Sequence, residues 1–353
     1  MRPRRILIVS DAWRPQVNGV VRTLSTVAGE LAAMGCVVEV IGPDRFRTIP
    51  MPTYPDIRLS LLPRRRLARL IEAFAPDALH VSTEGPLGIA ARAWAVRNGC
   101  AFTTAFHTRF PEYLHARTRV PTRLSYLWLR RFHAAGSRLM VATDSLRREL
   151  STRGFVNIRA WSRGVDLDLF KPEPRQDWGL PRPVFIYVGR LAVEKNIGAF
   201  LELDLPGSKV VVGDGPQRAA LKRRFPSAHF AGARHDAPLA QAYAGADVFV
   251  FPSLTDTFGL VMLESMACGT PVAAFPVTGP KDVLAAGGPL VGAVDADLRR
   301  AALTALASGD RAACRRYAER FSWRACAQTF LANLVPMRGN SPAPAASVPA
   351  AAP

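Results

Sequence analysis

Two carboxylates flank an apolar run in the segment DTFGLVMLE, from Asp256 to Glu264. Paired acids can act as general acid and base, or each can hold one part of a polar ligand. Eight helical steps would separate them by roughly 12 Å, beyond the about 5–9.5 Å that separates glycosidase carboxylates. The spacing therefore favours contacts with two parts of one long ligand. A bent loop, or a helix that merely has acids at both ends, remains the alternative.

The same segment predicts a helix that begins between Phe258 and Leu260 and ends before the Gly269-Thr270-Pro271 stop. The free N–H groups of its first turn would face the loop that holds Asp256. Helix N-termini attract anions because their amides and macrodipole present positive partial charge. The segment thus combines an anion site with two acids.

Two cations follow another predicted strand, in the segment GRLAVEKN. Arg190 lies at the strand end and Lys195 lies five residues later. The chain has 41 arginines and only 5 lysines, so the lysine is the more distinctive of the two. A solvated loop with Glu194 as neighbour is one interpretation. Two cations that bracket a diphosphate are the other.

A glycine and two histidines occupy comparable positions in the first half of the chain. Gly19 stands immediately before a predicted helix, where backbone can approach an anion closely. An ordinary loop glycine fits equally well. No GxGxxG pattern follows the first strand, which argues against a dinucleotide oxidoreductase. His80 and His107 both end predicted strands; His80 fits a structural role, whereas His107 is open to a structural role or a place at a cleft edge.

Two acidic triplets resemble metal-binding Asp-x-Asp motifs, at 166–168 and 295–297. Neither clearly follows a buried strand, so we expect no metal site and no resident cofactor. The five cysteines form no CxxC pair, which argues against a zinc site or a disulfide framework and fits a reducing cytoplasm.

Length and patterning indicate two α/β domains. A chain of 353 residues with 49% hydrophobic residues exceeds one ordinary core. Strand-like runs such as RILIVS, VVEVIGP and DALHVS alternate with helical ones, and the alternation restarts at PVFIYVGR after a Pro-rich join. That order predicts parallel sheets covered on both faces, with ligands at the carboxyl ends of the strands. No apolar run approaches a membrane span of about 20 residues, and the basic start predicts a strand rather than a secretory signal.

Positive charge is concentrated in the first half. Residues 1–166 hold 26 arginines, no lysine and 12 acids, a net +14 of the total +18. This field points to an anionic partner, either nucleic acid or acidic lipid. Basic residues beside apolar ones on predicted helices suit a membrane surface, although each helix alone could equally pack on a core. The candidate membrane contacts are Arg64, Arg65, Arg66, Arg69, Trp128, Arg130 and Arg131.

Five motifs together resemble one family. They are PQVNGVVRT, SRGVDLDLF, VGRLAVEKN, VVVGDGP and FGLVMLESMACGTPVAA. In this order they are similar to the retaining nucleotide-sugar glycosyltransferases of family 4, which have the GT-B fold. The resemblance implies an α/β architecture of two Rossmann-like domains that face a cleft. It places an acceptor domain at 1–168, a donor domain at 169–320 and a helix that crosses back at 321–337. The Pro- and Ala-rich composition of residues 338–353 predicts a disordered tail.

The resemblance also implies roles for the site residues. Glu264 would hold the donor ribose and Asp256 would contact hydroxyls of the transferred sugar. Arg190 and Lys195 would bind the diphosphate, and His107 would lie near the sugar. The family's glycine-rich loop falls on Gly19, and further backbone N–H groups would come from Phe258, Gly259 and Leu260. Asp256 is one methylene shorter than the family's usual glutamate, which bears on the choice of sugar.

In detail, the motifs look most like the branch that glycosylates diacylglycerol, near bacterial sulfolipid synthases. We therefore expect a UDP-sugar donor, a lipid acceptor such as diacylglycerol, no metal requirement and a peripheral position on the inner face of the cytoplasmic membrane. GDP-mannose-dependent mannosyltransferases of phosphatidylinositol-type lipids are the second candidate. A nucleic-acid-binding protein is the third; it is disfavoured because aromatic residues are only 8% and no nucleic-acid module is present.

Overall fold

The protein is described from a computed structural model that covers residues 3–16, 18–51 and 54–337. The predicted disordered tail lies outside these residues. Strands and helices alternate from the first residues onward, because short apolar runs buried on both sides are separated by amphipathic segments. The fully buried sequence VFIYV of one central strand illustrates the first kind of segment.

The N-terminal part contains eight strands and six helices among the described residues. In chain order these are β1 (Arg5–Val9), α1 (Gly19–Ala33), β2 (Val37–Ile41), β3 (Thr48–Met51), β4 (Tyr54–Ser60), α2 (Arg64–Phe74), β5 (Ala78–Val81), α3 (Pro86–Arg97), β6 (Thr103–Ala105), α4 (Phe110–Thr118), α5 (Thr122–His133), β7 (Arg138–Val141), α6 (Asp144–Thr152) and β8 (Ile158–Ala160). Six strands form a parallel sheet in the order β2-β1-β5-β6-β7-β8.

The C-terminal part repeats the pattern. It comprises β9 (Val184–Val188), α7 (Ile197–Leu201), β10 (Ser208–Val212), α8 (Arg218–Arg224), β11 (His229–Gly232), α9 (Asp236–Ala244), β12 (Val248–Phe251), α10 (Leu260–Ala267), β13 (Val272–Ala274), α11 (Thr278–Ala285), β14 (Gly292–Val294), α12 (Leu298–Ser308), α13 (Arg311–Ala318) and α14 (Trp323–Asn333). Its parallel sheet has the order β11-β10-β9-β12-β13-β14. Both sheets are Rossmann-like, as the sequence predicted.

In each sheet the strand order reverses once. The reversal lies between β1 and β5 in the first sheet and between β9 and β12 in the second. Loops that leave neighbouring strands at such a point diverge to opposite faces and open a crevice, where ligands of open α/β sheets bind. The loops after these four strands therefore define where the functional groups should be sought.

The last helix, α14, packs on the N-terminal domain rather than on its chain neighbours. Trp323, Cys326 and Phe330 join Ile6 and Leu24 in one buried cluster. The two chain crossings between domains lie side by side, because Val165 N donates to Phe321 O at 2.9 Å. Gly164 permits this approach; a Cβ there would lie 2.5 Å from the backbone nitrogen of Trp323.

The sequence patterns did not predict the antiparallel hairpin of β3 and β4. Its strands contain prolines, which argue against a central strand. A two-stranded edge hairpin tolerates them because many of its N–H groups need no ladder partner. Two predicted helix limits agree with the structure. Helix α10 begins at Leu260, and α1 is followed by Gly35 in the left-handed region at φ +85°.

Candidate functional site

The loops at the two reversal points carry most of the predicted site residues. Gly19 ends the loop after β1, whereas Arg190 and Lys195 follow β9, and Asp256 follows β12. Because β9 and β12 are paired neighbours, their loops start side by side although they are about 60 positions apart in sequence. The fold thus brings the cation segment and the acid segment to one end of the second sheet.

Two helices from different domains begin close to each other. A Cβ built on Gly19, the first residue of α1, would lie 3.7 Å from Leu260 Cδ1 at the start of α10. The Asn18 side chain already accepts hydrogen bonds from the amides of Val20 and Val21, each at 3.0 Å. The free amides expected at this helix start are therefore fewer than the sequence suggested. Both helix starts still direct positive partial charge towards the space between the domains.

Lys195 and Asp256 form an ion pair at the end of the second sheet. The Lys195 Nζ lies 2.7 and 2.8 Å from the two carboxylate oxygens. Lys195 ends a short turn, Val193–Lys195, and the carbonyl of Arg190 accepts a hydrogen bond from the hydroxyl of Tyr187 at 3.0 Å. The predicted diphosphate cation and the predicted sugar acid are thus direct neighbours.

Glu264 is buried and contacts both domains. Its carboxylate pairs with Arg22 of α1 and accepts a hydrogen bond from the Tyr243 hydroxyl at 3.1 Å. Burial raises the pKa of the Glu264 carboxyl, and the Arg22 charge and the tyrosine bond oppose that shift. Arg22 lies over the Phe170 ring, 5.3 Å from its centre. The acid predicted to bind ribose is therefore held by a cation from the opposite domain.

His107 lies in the loop after β6, beside the C-terminal domain. Its backbone carbonyl accepts a hydrogen bond from Thr257 Oγ1 at 2.7 Å, which joins it to the loop of Asp256. On the ring, Nε2 lies 2.9 Å from Ser82 Oγ and Nδ1 lies 3.2 Å from the Arg163 guanidinium. Burial, followed by the charge of Arg163, lowers the pKa of His107 well below its usual value. The imidazole is therefore neutral at neutral pH.

His80 has the structural role that the sequence indicated. It is fully buried in β5, and its Nδ1 lies 2.9 Å from Thr103 Oγ1. Its ring packs edge-on against Trp161 and Phe330. Burial lowers its pKa to about 3, so it carries no charge and contributes to the core.

The two acidic triplets serve local structure. Asp166 Oδ1 accepts hydrogen bonds from the backbone amides of Asp168 and Leu169. Asp295 pairs with Arg300, and Asp297 caps the N-terminus of α12. Within residues 3–16, 18–51 and 54–337, no group of three or more histidine, cysteine or acidic side chains could hold a metal ion.

The predicted membrane contacts lie on two exposed surfaces of the N-terminal domain. On α2, Leu67, Ile71 and Phe74 face the core, and the four arginines Arg64, Arg65, Arg66 and Arg69 are exposed. On α5, Trp128, Arg130 and Arg131 are exposed together with Arg123, Leu124 and Leu127. In the described part of the chain, no carboxylate forms a salt bridge with any of these arginines.

The two surfaces differ in apolar content. The exposed face of α2 is basic, with apolar side chains only before its start, where Leu62 is 95% exposed. On α5, Leu124, Leu127 and Trp128 are 52%, 54% and 42% exposed. Helix α3 connects them, because it packs on α2 and Arg92 donates to the Phe132 carbonyl at 3.0 Å. The α2 surface and the α5 surface therefore border the same helix.

Sequence reasoning missed four residues that touch the predicted ones: Arg22, Ser82, Arg163 and Tyr243. Arg163 stands inside the quoted motif SRGVDLDLF, but arginine is so frequent in this chain that its type carried no signal. Arg22 stands inside the quoted motif PQVNGVVRT, three residues after Gly19 on α1, but the frequency of arginine hid it in the same way. Nothing in the sequence marks Ser82 or Tyr243, whose roles arise from tertiary contacts.

Comparison with protein families gives two matches. A family model described as "Glycosyltransferase Family 4" matches residues 17–169, and one described as "Glycosyl transferases group 1" matches residues 182–308. Their boundary falls in the Pro-rich join between the two sheets.

Three curated relatives are similar over most of the chain. A GDP-mannose-dependent alpha-mannosyltransferase of Mycobacterium tuberculosis is 31% identical, covering 79% of this chain and 81% of the relative. The sulfoquinovosyl transferase SQD2 of Arabidopsis thaliana is 31% identical over 80% of this chain and 62% of the relative. An alpha-monoglucosyldiacylglycerol synthase of Streptococcus pneumoniae is 26% identical over 76% and 70%.

Among solved structures, a sucrose-phosphate synthase of Thermosynechococcus elongatus superposes with a TM-score of 0.73 at 21% identity. The match covers 93% of this chain and 97% of that structure, so the likeness of fold extends through both domains. A search of the described helices for one with the length and apolar character of a membrane span finds none.

Proposed function

The chain belongs to the GT-B glycosyltransferases of family 4, and from that premise we propose that it transfers a hexose or hexuronic acid from a nucleotide sugar to a membrane lipid. Two features of the site support binding of the nucleotide sugar. The helix starts at Gly19 and Leu260 meet between the domains, and the C-terminal domain carries the Lys195–Asp256 ion pair. A nucleoside diphosphate sugar presents a diphosphate, a ribose and sugar hydroxyls, and the site offers a group for each.

The diphosphate would lie between the helix starts at Gly19 and Leu260, within reach of Arg190 and Lys195. Both cations and the amides favour the negative charge that develops on the leaving group. Lys195 forms an ion pair with Asp256. A bound diphosphate would therefore take over part of the lysine's hydrogen bonding, and Asp256 would turn to sugar hydroxyls.

Glu264 would accept hydrogen bonds from the ribose hydroxyls. Its carboxylate is already desolvated and already bonded to Tyr243, so binding ribose requires only that Arg22 yield one oxygen. The exchange replaces an interdomain ion pair by a charge-assisted hydrogen bond to the ligand. Amides of Phe258 and Gly259 would complete the contacts at this end of the donor.

The reaction breaks the bond between the anomeric carbon and the diphosphate oxygen and forms a bond to the acceptor hydroxyl. In the proposed retaining course the acceptor attacks the same face, and the departing phosphate oxygen takes its proton. No separate base is then needed, and no metal is required, because protein cations meet the leaving-group charge.

The lipid acceptor is supported by the relatives named for diacylglycerol and by the exposed arginines. Each Lys or Arg near an anionic membrane contributes about 1 kcal/mol. The α5 surface adds apolar side chains that can enter the interfacial region. We place the protein peripherally on the inner, anionic face of the cytoplasmic membrane, with the N-terminal domain towards the lipid.

Two donor–acceptor pairs follow from different observations. A UDP-sugar with diacylglycerol follows from the motif resemblance. GDP-mannose, with a phosphatidylinositol-type or other acceptor, is favoured by the 31% identical mannosyltransferase of M. tuberculosis. A nucleic-acid-binding role is the remaining candidate, motivated only by the net charge of +18.

The deciding experiment is a donor panel. The purified chain is incubated with UDP-glucose, UDP-glucuronic acid, UDP-sulfoquinovose and GDP-mannose, each with vesicles containing diacylglycerol or phosphatidylinositol. Mass spectrometry of the extracted lipids identifies the product. A new glycolipid with one donor supports the proposal. Transfer only to water-soluble acceptors would overturn the lipid assignment, and salt-sensitive binding to duplex DNA without any transfer would favour the nucleic-acid candidate.

A further inference from the structure

Arg163 is a buried cation without a carboxylate partner in the described part of the chain. Only 5% of the residue is exposed. Its guanidinium donates to the backbone carbonyls of Trp161 at 2.7 Å and Ser162 at 3.0 Å, lies 4.3 Å from the centre of the Trp161 ring, and donates to His107 Nδ1. Burying an unpaired charge costs free energy. A residue kept at such a cost calls for a reason beyond packing.

The contact with His107 fixes one form of the imidazole. A guanidinium has only N–H donors, so His107 Nδ1 must be an unprotonated acceptor. The proton of the neutral ring is then on Nε2, where it is donated to Ser82 Oγ at 2.9 Å. An imidazolium would carry a second proton on Nδ1, pointing at the guanidinium and adding a like charge beside it.

We propose that Arg163 is a positioning residue that holds His107 neutral and in the Nε2–H tautomer. The inference rests on the proposed function and on the place near the transferred sugar that the family resemblance implies for His107. Cleavage of a glycosidic bond passes through a transition state with positive charge at the anomeric carbon. A neutral imidazole tolerates that charge, whereas an imidazolium at the same place would repel it.

Among the described residues, no carboxylate contacts the His107 ring, whose polar partners are Ser82 and Arg163. The groups that face it are Arg163, Ser82 and the edge of the Trp161 ring, with His80 and His133 as further titratable neighbours. His133 does contact Glu84, at 3.1 Å, so that carboxylate is one side chain removed from His107. The lowered pKa of His107 agrees with this arrangement.

The first test needs no substrate. Long-range ¹H–¹⁵N spectra of the ¹⁵N-labelled protein distinguish the two tautomers, and His107→Gln identifies one signal among the six histidines. We expect the Nε2–H tautomer, unchanged as the pH falls through the range in which an ordinary histidine takes up its proton. An Nδ1–H tautomer, or an imidazolium at neutral pH, would overturn the proposal. This result stands whether or not any donor in the panel is used.

The second test uses Arg163→Met, which removes charge and donors at similar length. The acid limb of the pH–rate profile should move up by about one pH unit or more, and kcat should fall about tenfold or more with donor KM little changed. Arg163→Lys should return the acid limb towards wild type because it keeps the charge.

The matched control is Arg311→Met in the C-terminal domain. Arg311 also donates to backbone carbonyls, those of Ala244, Ala246 and Cys268, and no histidine of the described ranges is among its hydrogen-bond partners. Both methionine variants should lose some stability, but only the Arg163 variant should move the His107 signals and the acid limb. Equal shifts in both variants, or none in either, would reduce Arg163 to a packing role.

Discussion

The charged groups at the predicted donor site differ from Arg163 and from the arginines of the α2 and α5 surfaces. In the C-terminal domain, Lys195 contacts the carboxylate of Asp256, and Glu264 contacts Arg22 across the cleft. In the N-terminal domain, Arg163 meets only neutral atoms among the described residues, and the arginines of the α2 and α5 surfaces have no carboxylate partner there. Charges of the first kind can exchange partners with an arriving ligand. The surface arginines of the second kind keep a positive field that an anionic partner outside the chain can meet, whereas Arg163 is buried and acts on His107.

The largest expected effect is on turnover and tests the cations proposed to bind the diphosphate. Lys195→Ala and Arg190→Ala should each lower turnover by about 10²–10³-fold, because one prearranged cation at the leaving group is lost. Thermal stability should change little. Lys222→Ala, an exposed lysine on α8, is the control and should leave turnover unchanged. Near-normal turnover in both site variants would remove the diphosphate assignment.

The second effect is on membrane binding and tests the exposed arginines of the α2 surface. Replacing Arg64, Arg65 and Arg66 by Gln should weaken sedimentation with anionic vesicles by roughly a hundredfold, since three charges contribute about 3 kcal/mol. Raised salt should act in the same direction. The control replaces Lys222, Arg223 and Arg224 on α8, which should matter far less. Equal binding of all three proteins to anionic and neutral vesicles would contradict a membrane role for α2.

A smaller effect concerns Arg22, which compensates the buried Glu264. Arg22→Met should destabilise the fold by about 1–3 kcal/mol at neutral pH. Without Arg22 the pKa of Glu264 rises further, so the folded carboxyl keeps its proton at pH values where the unfolded one, near 4.5, has lost it. The loss of stability in Arg22→Met is therefore absent below about pH 4.5 and grows as pH rises. It is complete above the folded-state pKa of Glu264 in the variant.

Urea denaturation across this pH range measures the effect. Glu264→Gln serves as the comparison, because a neutral amide of the same shape removes the titrating group. Its stability relative to wild type should lack the pH-dependent loss seen with Arg22→Met. A pH-independent loss in Arg22→Met would show that its contact is packing rather than charge compensation.

The smallest expected effect is none at all. EDTA should leave glycosyl transfer unchanged, because Arg190 and Lys195 are proposed to meet the leaving-group charge. Asp168→Asn, on the exposed triplet, should be equally silent. Loss of transfer on chelation, with recovery on adding Mg²⁺ or Mn²⁺, would show that the reaction requires a metal ion. That result would overturn this part of the proposal.

The sequence predicted the parts of the molecule that depend on local pattern. Buried strands such as β9 and the start of α10 at Leu260 follow from apolar runs and helix signals. The hairpin of β3 and β4 did not, because its prolines mimic a loop. The partners of Glu264 and His107 could not be predicted. Arg22 reaches Glu264 only when the two domains pack together, and Arg163 reaches His107 across 56 positions of the folded N-terminal domain.

Because the two chain crossings are adjacent, the C-terminal domain is a single insertion into the N-terminal domain. The chain leaves the N-terminal domain at Val165 and returns at Phe321, and these residues are hydrogen-bonded to each other. Domains whose ends are close together tolerate exchange. A chimaera could therefore receive residues 166–320 from a relative as one cassette, with both joints at one place. Donor preference should travel with the cassette, whereas the lipid surface should stay behind.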